Sequence, residues 1–94
     1  MVYRLVYHRW FEKSFAKLAR GYQEKIDGIL IDLSESPPRV VGKSKPIRGY
    51  SGVYRYRLGK FRLIYVVDEK RCQVIVLGVG SRGKVYKTMQ RILR

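Results

Sequence analysis

The segment GVYRYRLGKFRLIY, residues 52–65, constrains the fold most, because it predicts a β-hairpin with a two-residue Gly-Lys turn. In that hairpin Arg57 lies opposite Arg62. Side chains alternate between the two faces of a strand, so Arg55 shares a face with this pair. Directly opposed residues have Cβ atoms roughly 4.5–5.5 Å apart, and like charges at that separation destabilise a sheet. Three guanidiniums on one patch therefore require a reason other than folding.

The second face of the same hairpin is apolar without interruption. It carries Tyr54, Tyr56, Leu58, Phe61, Leu63, Tyr65 and Val67. An apolar face of a sheet must be buried against another layer, so helices are expected to cover it. The arginine face is then expected to be open to solvent.

Two amphipathic helices are predicted to follow a first strand over residues 2–8. Apolar residues recur at helical spacing from Arg9, and Gly21 is expected to end this helix. A second apolar stripe begins at Tyr22 and is stopped by the prolines at 36–38. Two helices joined at one glycine predict a helical hairpin.

A basic loop is predicted over 36–46. After it, alternation predicts three strands, at 53–58, 61–67 and 72–79. Helical spacing then predicts a short C-terminal helix over 85–94. The order β-α-α-β-β-β-α indicates one α+β domain spanning the whole chain. We expect an antiparallel β-sheet with the N-terminal helical hairpin packed on one face.

The charge balance restricts the classes of partner. The chain has 21 Lys and Arg against 7 Asp and Glu, a formal net charge of +14, whereas a small domain needs a net charge of only about 2–8 for solubility. The excess predicts a polyanionic or acidic partner such as nucleic acid, a ribosome or an acidic protein. With one cysteine, no secretory signal and no apolar run long enough to span a membrane, we expect a cytoplasmic protein without membrane association.

A glycine-rich segment, GVGSRGKVYK over 78–87, follows the last predicted strand. Its glycines predict a tight turn that carries Arg82, with Tyr86 four residues later. If strand 72–79 pairs with strand 61–67, Arg82 reaches the same edge as the hairpin arginines. Four guanidiniums and a phenol would then surround one concavity.

This set of side chains suits cleavage of RNA by its own 2′-hydroxyl. Guanidiniums bind phosphate in a bidentate manner and stabilise the charge of the phosphorane, while a tyrosine can stack on a base or take part in proton transfer. The carboxylates lie in the predicted helices and one turn, so neither a metal nor another cofactor is expected. We assign His8 and Cys72 structural roles, Cys72 in the core of a strand. From the residues alone, simple binding of nucleic acid or of an acidic partner and catalysis both remain open.

The order IRG…YRYRL…FRLIYVVDE…VIVLGVGSRGKVY…RIL resembles the RelE branch of the RelE/ParE toxin superfamily over nearly the whole chain. The resemblance implies a toxin of a type II toxin-antitoxin system that cuts mRNA in the ribosomal A site without a metal. It also implies that Arg48 helps to bind RNA, and we add Lys45 and Lys84 as RNA-binding candidates. The catalytic positions that it implies are Arg55, Arg57, Arg62, Arg82 and Tyr86.

The chain departs from the best-known member of this branch at its first pair of site residues. That member has lysines where this chain has Arg55 and Arg57, and an arginine cannot serve as a general base. If Arg55 takes that place, we expect it to stabilise charge, and the role of base passes to Tyr86, to water or to no group at all. The ParE branch, which acts on DNA gyrase, generally lacks this set of arginines and tyrosine.

The expected partners are a cognate acidic antitoxin similar to RelB, the ribosome and mRNA. Two alternatives remain open. One is a non-catalytic toxin that inhibits by binding, either a ParE-like gyrase inhibitor or a ribosome blocker. The other is a plain basic RNA-binding module.

Overall fold

The computed structural model of the protein describes residues 2–35 and 44–94. Among these residues, none of the helices combines the length and apolarity that crossing a bilayer requires. The elements in chain order are β1 (Arg4–Tyr7), α1 (Arg9–Ala16), α2 (Arg20–Glu35), β2 (Ser44–Pro46), β3 (Val53–Leu58), β4 (Phe61–Asp68), β5 (Gln73–Ser81) and α3 (Arg82–Leu93).

The five strands form one sheet in the order β1-β5-β4-β3-β2. Strands β3, β4 and β5 pair in antiparallel fashion, as the sequence predicts, and β2, which the sequence does not predict, pairs antiparallel with β3. β1 adds a parallel strand on the outer side of β5, so the α+β sheet is mixed. Most of the basic loop predicted over 36–46 lies outside the described residues, but its last three residues form β2 instead of a loop.

The break between the first two helices falls earlier than predicted. α1 ends at Ala16 and α2 begins at Arg20, so Gly21 lies in the first turn of α2 and does not end α1. The carbonyl of Ala19 accepts the N–H of Tyr22 at 3.0 Å, so helical bonding has started before the glycine. Gly21 is also in open space, and no conformation at this position requires a glycine.

One face of the sheet, here called the main face, is covered by α1 and α2 and carries the larger apolar core. The hairpin side chains predicted to be covered lie here, as the sequence predicts. The buried members of this core are Phe11, Ile26, Ile29, Leu30, Leu33, Leu58, Leu63, Tyr65, Val67, Val74, Val76 and Val79.

The opposite face, here called the α3 face, is not open as predicted. A second, smaller core lies under α3 and consists of Val53, Ile64, Leu77, Val85 and Met89. The physical reason is that β4 and β5 are apolar on both faces over their central residues, and this surface must be buried. The arginines therefore occupy only the part of the α3 face nearest the hairpin turn.

Helix α1 closes the edge of β5 where β1 stops. β1 pairs with β5 only as far as Val76, and beyond this point the N–H of Val79 donates to the hydroxyl of Ser14 at 3.2 Å. Trp10 lies flat on the same strand, because a Cβ atom at Gly78 would come within 2.3 Å of the indole. Gly78 is thus required for the close approach of the helix to the sheet.

The two residues assigned structural roles have different outcomes. His8 caps α1, since its Nδ1 accepts a hydrogen bond from the N–H of Trp10 at 3.0 Å. The predicted place of Cys72 within the core of a strand is wrong, because β5 begins one residue later. Cys72 lies in the preceding turn with a φ of 49° and is partly buried.

Candidate functional site

The β3–β4 hairpin has the predicted turn and register. Leu58 pairs with Phe61 across the turn, and Gly59 adopts a φ of 60° that an L side chain rarely tolerates. Arg57 is the direct cross-strand partner of Arg62. The side-by-side arrangement of these two guanidinium-bearing residues is therefore confirmed.

Arg55 and Arg57 of β3 and Arg62 of β4 are here called the arginine row, and the strand pairing continues from it across the sheet. Arg62 pairs with Gly80 of β5, so Arg57, Arg62 and Gly80 lie in line on three adjacent strands. One step along the strands, Arg55 pairs with Lys45 of β2. Directly paired residues project to the same face, so Lys45 extends the basic surface to the outer edge of the sheet.

Arg62 is buried, with 8% of its surface exposed, whereas the sequence predicts an open position. Its Nη1 donates to the carbonyl of Gly59 at 2.9 Å and to that of Phe61 at 2.8 Å. These two bonds fix the guanidinium against the hairpin turn. The side chain is buried because it folds back on its own turn instead of extending into solvent.

The site arginines are not neutralised by carboxylates. Within residues 2–35 and 44–94 the one ion pair joins Arg20 to Glu24, at 3.6 Å and fully on the surface of α2. Arg57 is exposed and Arg55 is half-buried. A buried cation without a counter-ion is costly, and an incoming anion removes part of that cost. The arginine row is therefore suited to hold an anionic group.

The glycine-rich segment does not form the predicted turn. β5 continues through Gly78 and Gly80 to Ser81, and α3 begins directly at Arg82. Arg82 is therefore the first residue of a helix, two positions beyond the residue that pairs with Arg62. The first turn of α3 contains no acidic residue, so the positive end of the helix dipole adds to the field of the arginines.

Helix geometry separates the predicted site residues of α3 into two groups. At about 100° per residue, Arg82 and Tyr86 lie within about 40° of each other on one side of the helix. Tyr86 is half-buried and packs against the core of the α3 face. Lys84 lies about 160° from Tyr86 and faces α1 instead, where it lines a cleft. The sequence does not separate these residues because it predicts the helix to begin only at Val85.

Arg48, the remaining candidate, lies in the connection between β2 and β3 and is exposed. The backbone here turns twice through glycines with positive φ, Gly49 at 88° and Gly52 at 76°. This connection follows directly on β2, so Arg48 extends the basic surface from Lys45 along the same edge of the sheet.

Sequence reasoning missed the cleft that Lys84 faces. This cleft has a volume of about 450 Å³ and lies between α1, the end of β5 and α3, with Trp10 and Lys13 in its lining. The periodicity of α1 indicates its apolar stripe but not that the helix follows the edge of a strand. Among the described residues, no group of His, Cys, Asp and Glu is arranged to hold a metal ion.

Comparison with known proteins gives consistent matches. A family model described as "ParE toxin of type II toxin-antitoxin system, parDE" matches residues 3–86. Toxin RelG of Mycobacterium tuberculosis is 37% identical over 57 residues, which cover 60% of this chain. The matched segment spans 62% of the length of that relative.

Two solved structures resemble the whole fold. A mutant of E. coli toxin RelE in the free state superposes with a TM-score of 0.79 at 30% identity, covering 99% of this chain and 100% of its own. The archaeal RelE of the RelE-RelB complex from Pyrococcus horikoshii OT3 gives a TM-score of 0.76 at 28% identity, covering 89% of this chain and 99% of its own.

Proposed function

The chain belongs to the RelE/ParE toxin superfamily, in its RelE branch, and we propose that it is a ribosome-dependent endoribonuclease that cleaves mRNA in the A site. It is a toxin of the type II toxin-antitoxin class. The observation that carries the proposed activity is the arginine row on β3 and β4, which ends beside the start of α3 with Arg82 and Tyr86 on one side of that helix.

The proposed reaction uses the 2′-hydroxyl of the RNA as nucleophile and needs no metal. Arg57, Arg62 and Arg82 bind the scissile phosphate and stabilise the extra negative charge of the phosphorane. Arg62 is already fixed by two carbonyl groups, so its charge requires little reorganisation when the substrate binds. Arg55 contributes further positive potential from the neighbouring position on β3.

Proton transfer in this proposal depends on Tyr86 and on water. An arginine keeps its proton in proteins, so the leaving 5′-oxygen takes its proton from a water molecule held by Arg82. Tyr86 orients the 2′-hydroxyl or the nucleobase beside it, and the proton of the 2′-hydroxyl passes to a second water molecule, so solvent takes up one proton for each proton given to the leaving oxygen. The exposed cations Lys45 and Arg48 at the β2 edge bind the RNA further from the cut.

A cognate acidic antitoxin is the proposed regulator in the cytoplasm. The archaeal RelE structure that this chain resembles is a complex with RelB, and a net charge of +14 favours an acidic partner. The ribosome and its mRNA are the other proposed partners. Their binding should weaken strongly with salt, because each RNA phosphate neutralised contributes about −0.7 to the log–log slope.

The test is cleavage of mRNA on programmed ribosomes by an Arg82→Ala variant. Loss of one charge-stabilising donor should reduce cleavage about 100-fold or more, while binding to the ribosome stays within a few fold. The matched control is Arg71→Ala, an exposed arginine in the β4–β5 turn at the far end of the strands. If Arg82→Ala cuts as fast as the parent, the proposed mechanism is wrong.

A non-catalytic inhibitor is the second candidate, and the burial of Arg62 favours it. A guanidinium turned towards its own hairpin turn has fewer N–H groups left for a substrate. Primer extension on mRNA from cells producing the toxin separates the two. Growth arrest with intact messages supports inhibition by binding, and a gyrase supercoiling assay then distinguishes a gyrase inhibitor from a ribosome blocker.

A further inference from the structure

We propose that the groove between α1 and α3 binds single-stranded RNA, with one base stacked on Trp10 and the backbone held by cations on both walls. This inference rests on the proposed function in taking RNA as the ligand. The groove lies on the opposite side of α3 from Tyr86 and adjoins the line of Arg57 and Arg62 only at Gly80, near the end of β5.

Two adjoining clefts make up the groove. The first, of about 450 Å³, lies beside the end of β5, and the second, of about 370 Å³, lies beside the start of α1. They share Trp10, Lys13 and Thr88 as lining residues. The two clefts are therefore continuous along the space between the helices.

Both walls of this groove are cationic. On α1 and its C-terminal end, lysine or arginine recurs every four residues and so lies on one side of the helix. On α3 the two cations are seven residues apart, which is again one side. Among the residues that line the two clefts there is no carboxylate. The cations are Arg9, Lys13 and Lys17 on the first wall and Lys84 and Arg91 on the second.

Trp10 presents a flat aromatic surface at the junction of the two clefts. The position of a Cβ at Gly78 would be 2.3 to 2.5 Å from three atoms of the fused ring. Near-equal distances to three ring atoms mean that the strand contacts the face of the indole, not its edge. The opposite face is turned away from the strand, and Trp10 is only half-buried.

A cationic groove with an aromatic platform matches the general pattern of single-strand recognition. Such sites combine a positively charged channel along the backbone with aromatic side chains on which bases stack, and each stacked base contributes about 1–3 kcal/mol. An acidic protein would satisfy the charges but has no planar base for the indole. The groove also begins at Ser81, directly before Arg82. A strand cut beside Arg82 can therefore continue into it.

The experiment measures binding of a short 2′-O-methyl RNA to the toxin alone. This oligonucleotide has no free 2′-hydroxyl, so it cannot be cleaved, and no ribosome is present. Trp10 is the chain's only tryptophan, so quenching of its emission reports directly on the groove. Fluorescence anisotropy of the labelled oligonucleotide gives the dissociation constant.

The test variant is Lys13→Ala/Lys84→Ala, which removes one cation from each wall. We expect binding at least about tenfold weaker and a log–log salt slope reduced by about 1.4, from two phosphate contacts. Lys25→Ala/Lys70→Ala removes the same charge from α2 and from the β4–β5 turn and should change binding less than about twofold. Equal losses in the two double variants would overturn the proposal, because binding would then depend only on net charge.

An abasic oligonucleotide of equal length tests the stacking on Trp10. It should bind more weakly and leave the emission unchanged, and quenching equal to that by the full RNA would overturn the base contact. Polyglutamate tests the alternative that the groove binds an acidic protein instead of RNA. If polyglutamate binding depends on Lys13 and Lys84 while RNA binding does not, the groove is a protein-docking site. Since cleavage is not measured here, a failure of the groove is distinguishable from a failure of the Arg82→Ala test.

Discussion

The two faces of the sheet differ in how they are covered. The main face, under α1 and α2, has twelve buried apolar residues in its cluster, while the cluster of the α3 face has five among the described residues. The remainder of the α3 face carries the arginine row. Burial of apolar surface is the dominant favourable contribution to folding, so the main face supplies most of the stability. This allows the other face to keep like charges side by side.

The largest expected effect follows from deleting buried volume on the main face. Leu63 is fully buried there, and Leu63→Ala should lower the free energy of unfolding by about 2–5 kcal/mol. Urea denaturation measures this change. Arg57→Ala, an exposed change on the neighbouring strand, is the control and should stay within about 0.5 kcal/mol. A loss below about 1 kcal/mol for Leu63→Ala would contradict the proposed division between the faces.

At Arg62, one residue before Leu63, we expect a small change in stability and a large loss of cleavage. Arg62→Met removes hydrogen bonds to two carbonyls, each with a net contribution of about 0.5–1.5 kcal/mol, but also removes a buried cation beside Arg57. The free energy of unfolding should therefore change by about 1 kcal/mol at most. Cleavage on programmed ribosomes should fall about 100-fold. A large loss of stability would show instead that this guanidinium mainly supports the turn.

Two glycines near the α3 face are expected to respond oppositely to alanine. At Gly78 the new Cβ would lie 2.3 Å from Trp10, and overpacking of this kind typically lowers stability by about 1–3 kcal/mol. Gly83, in the first turn of α3, has open space around its Cβ position. Gly83→Ala should raise stability by roughly 0.5–1 kcal/mol. Thermal unfolding of both variants gives the comparison, and equal behaviour would refute the close contact with the indole.

The smallest expected effect concerns the phenol of Tyr65 on the main face. Burial raises the pKa of Tyr65 above its usual value of 10.0, although the hydrogen bond with Ser44 opposes this shift. A raised pKa in the folded state means that the contribution to stability is complete below pH 10 and is lost as the pH rises towards the folded-state pKa. Tyr65→Phe should flatten the fall in stability above pH 10, by at most about 1.4 kcal/mol per pH unit. An unchanged slope in denaturant titrations at alkaline pH would contradict this role.

The hairpin was predictable because its pattern is local. Alternation and a two-residue turn determine the pairing of Arg57 with Arg62, and this pairing is confirmed. The family resemblance and the α+β class were also correct. The start of α3 was not predicted, since the glycines of the GVGSRG segment indicate a turn while the structure extends β5 and begins the helix at Arg82.

The features that sequence reasoning missed depend on contacts between distant segments. The burial of Arg62 depends on the direction of one side chain over its own turn, which no periodicity specifies. The groove beside Trp10 depends on α1 lying along the edge of β5. Its contact between Trp10 and Gly78 joins residues that are 68 positions apart in the sequence. The small core under α3 was open to prediction, because β4 and β5 carry apolar residues on both faces. The pattern of the hairpin alone indicates only one apolar face of the sheet, whereas the apolar residues on both faces of β4 and β5 indicate two.

The parallel pairing of β1 with β5 has a consequence for synthesis of the chain. Arg4 pairs with Gln73, 69 positions later. At translation rates of roughly 5–20 residues per second, the first strand waits about 3–14 s before its partner is made. The domain therefore completes its sheet only after β5, Gln73–Ser81, has been synthesised. A chain interrupted before β5 contains the β3–β4 hairpin with Arg57 and Arg62 but lacks the strand that pairs with Arg62 and the whole of α3, so Arg82 and Tyr86 cannot yet join the hairpin arginines.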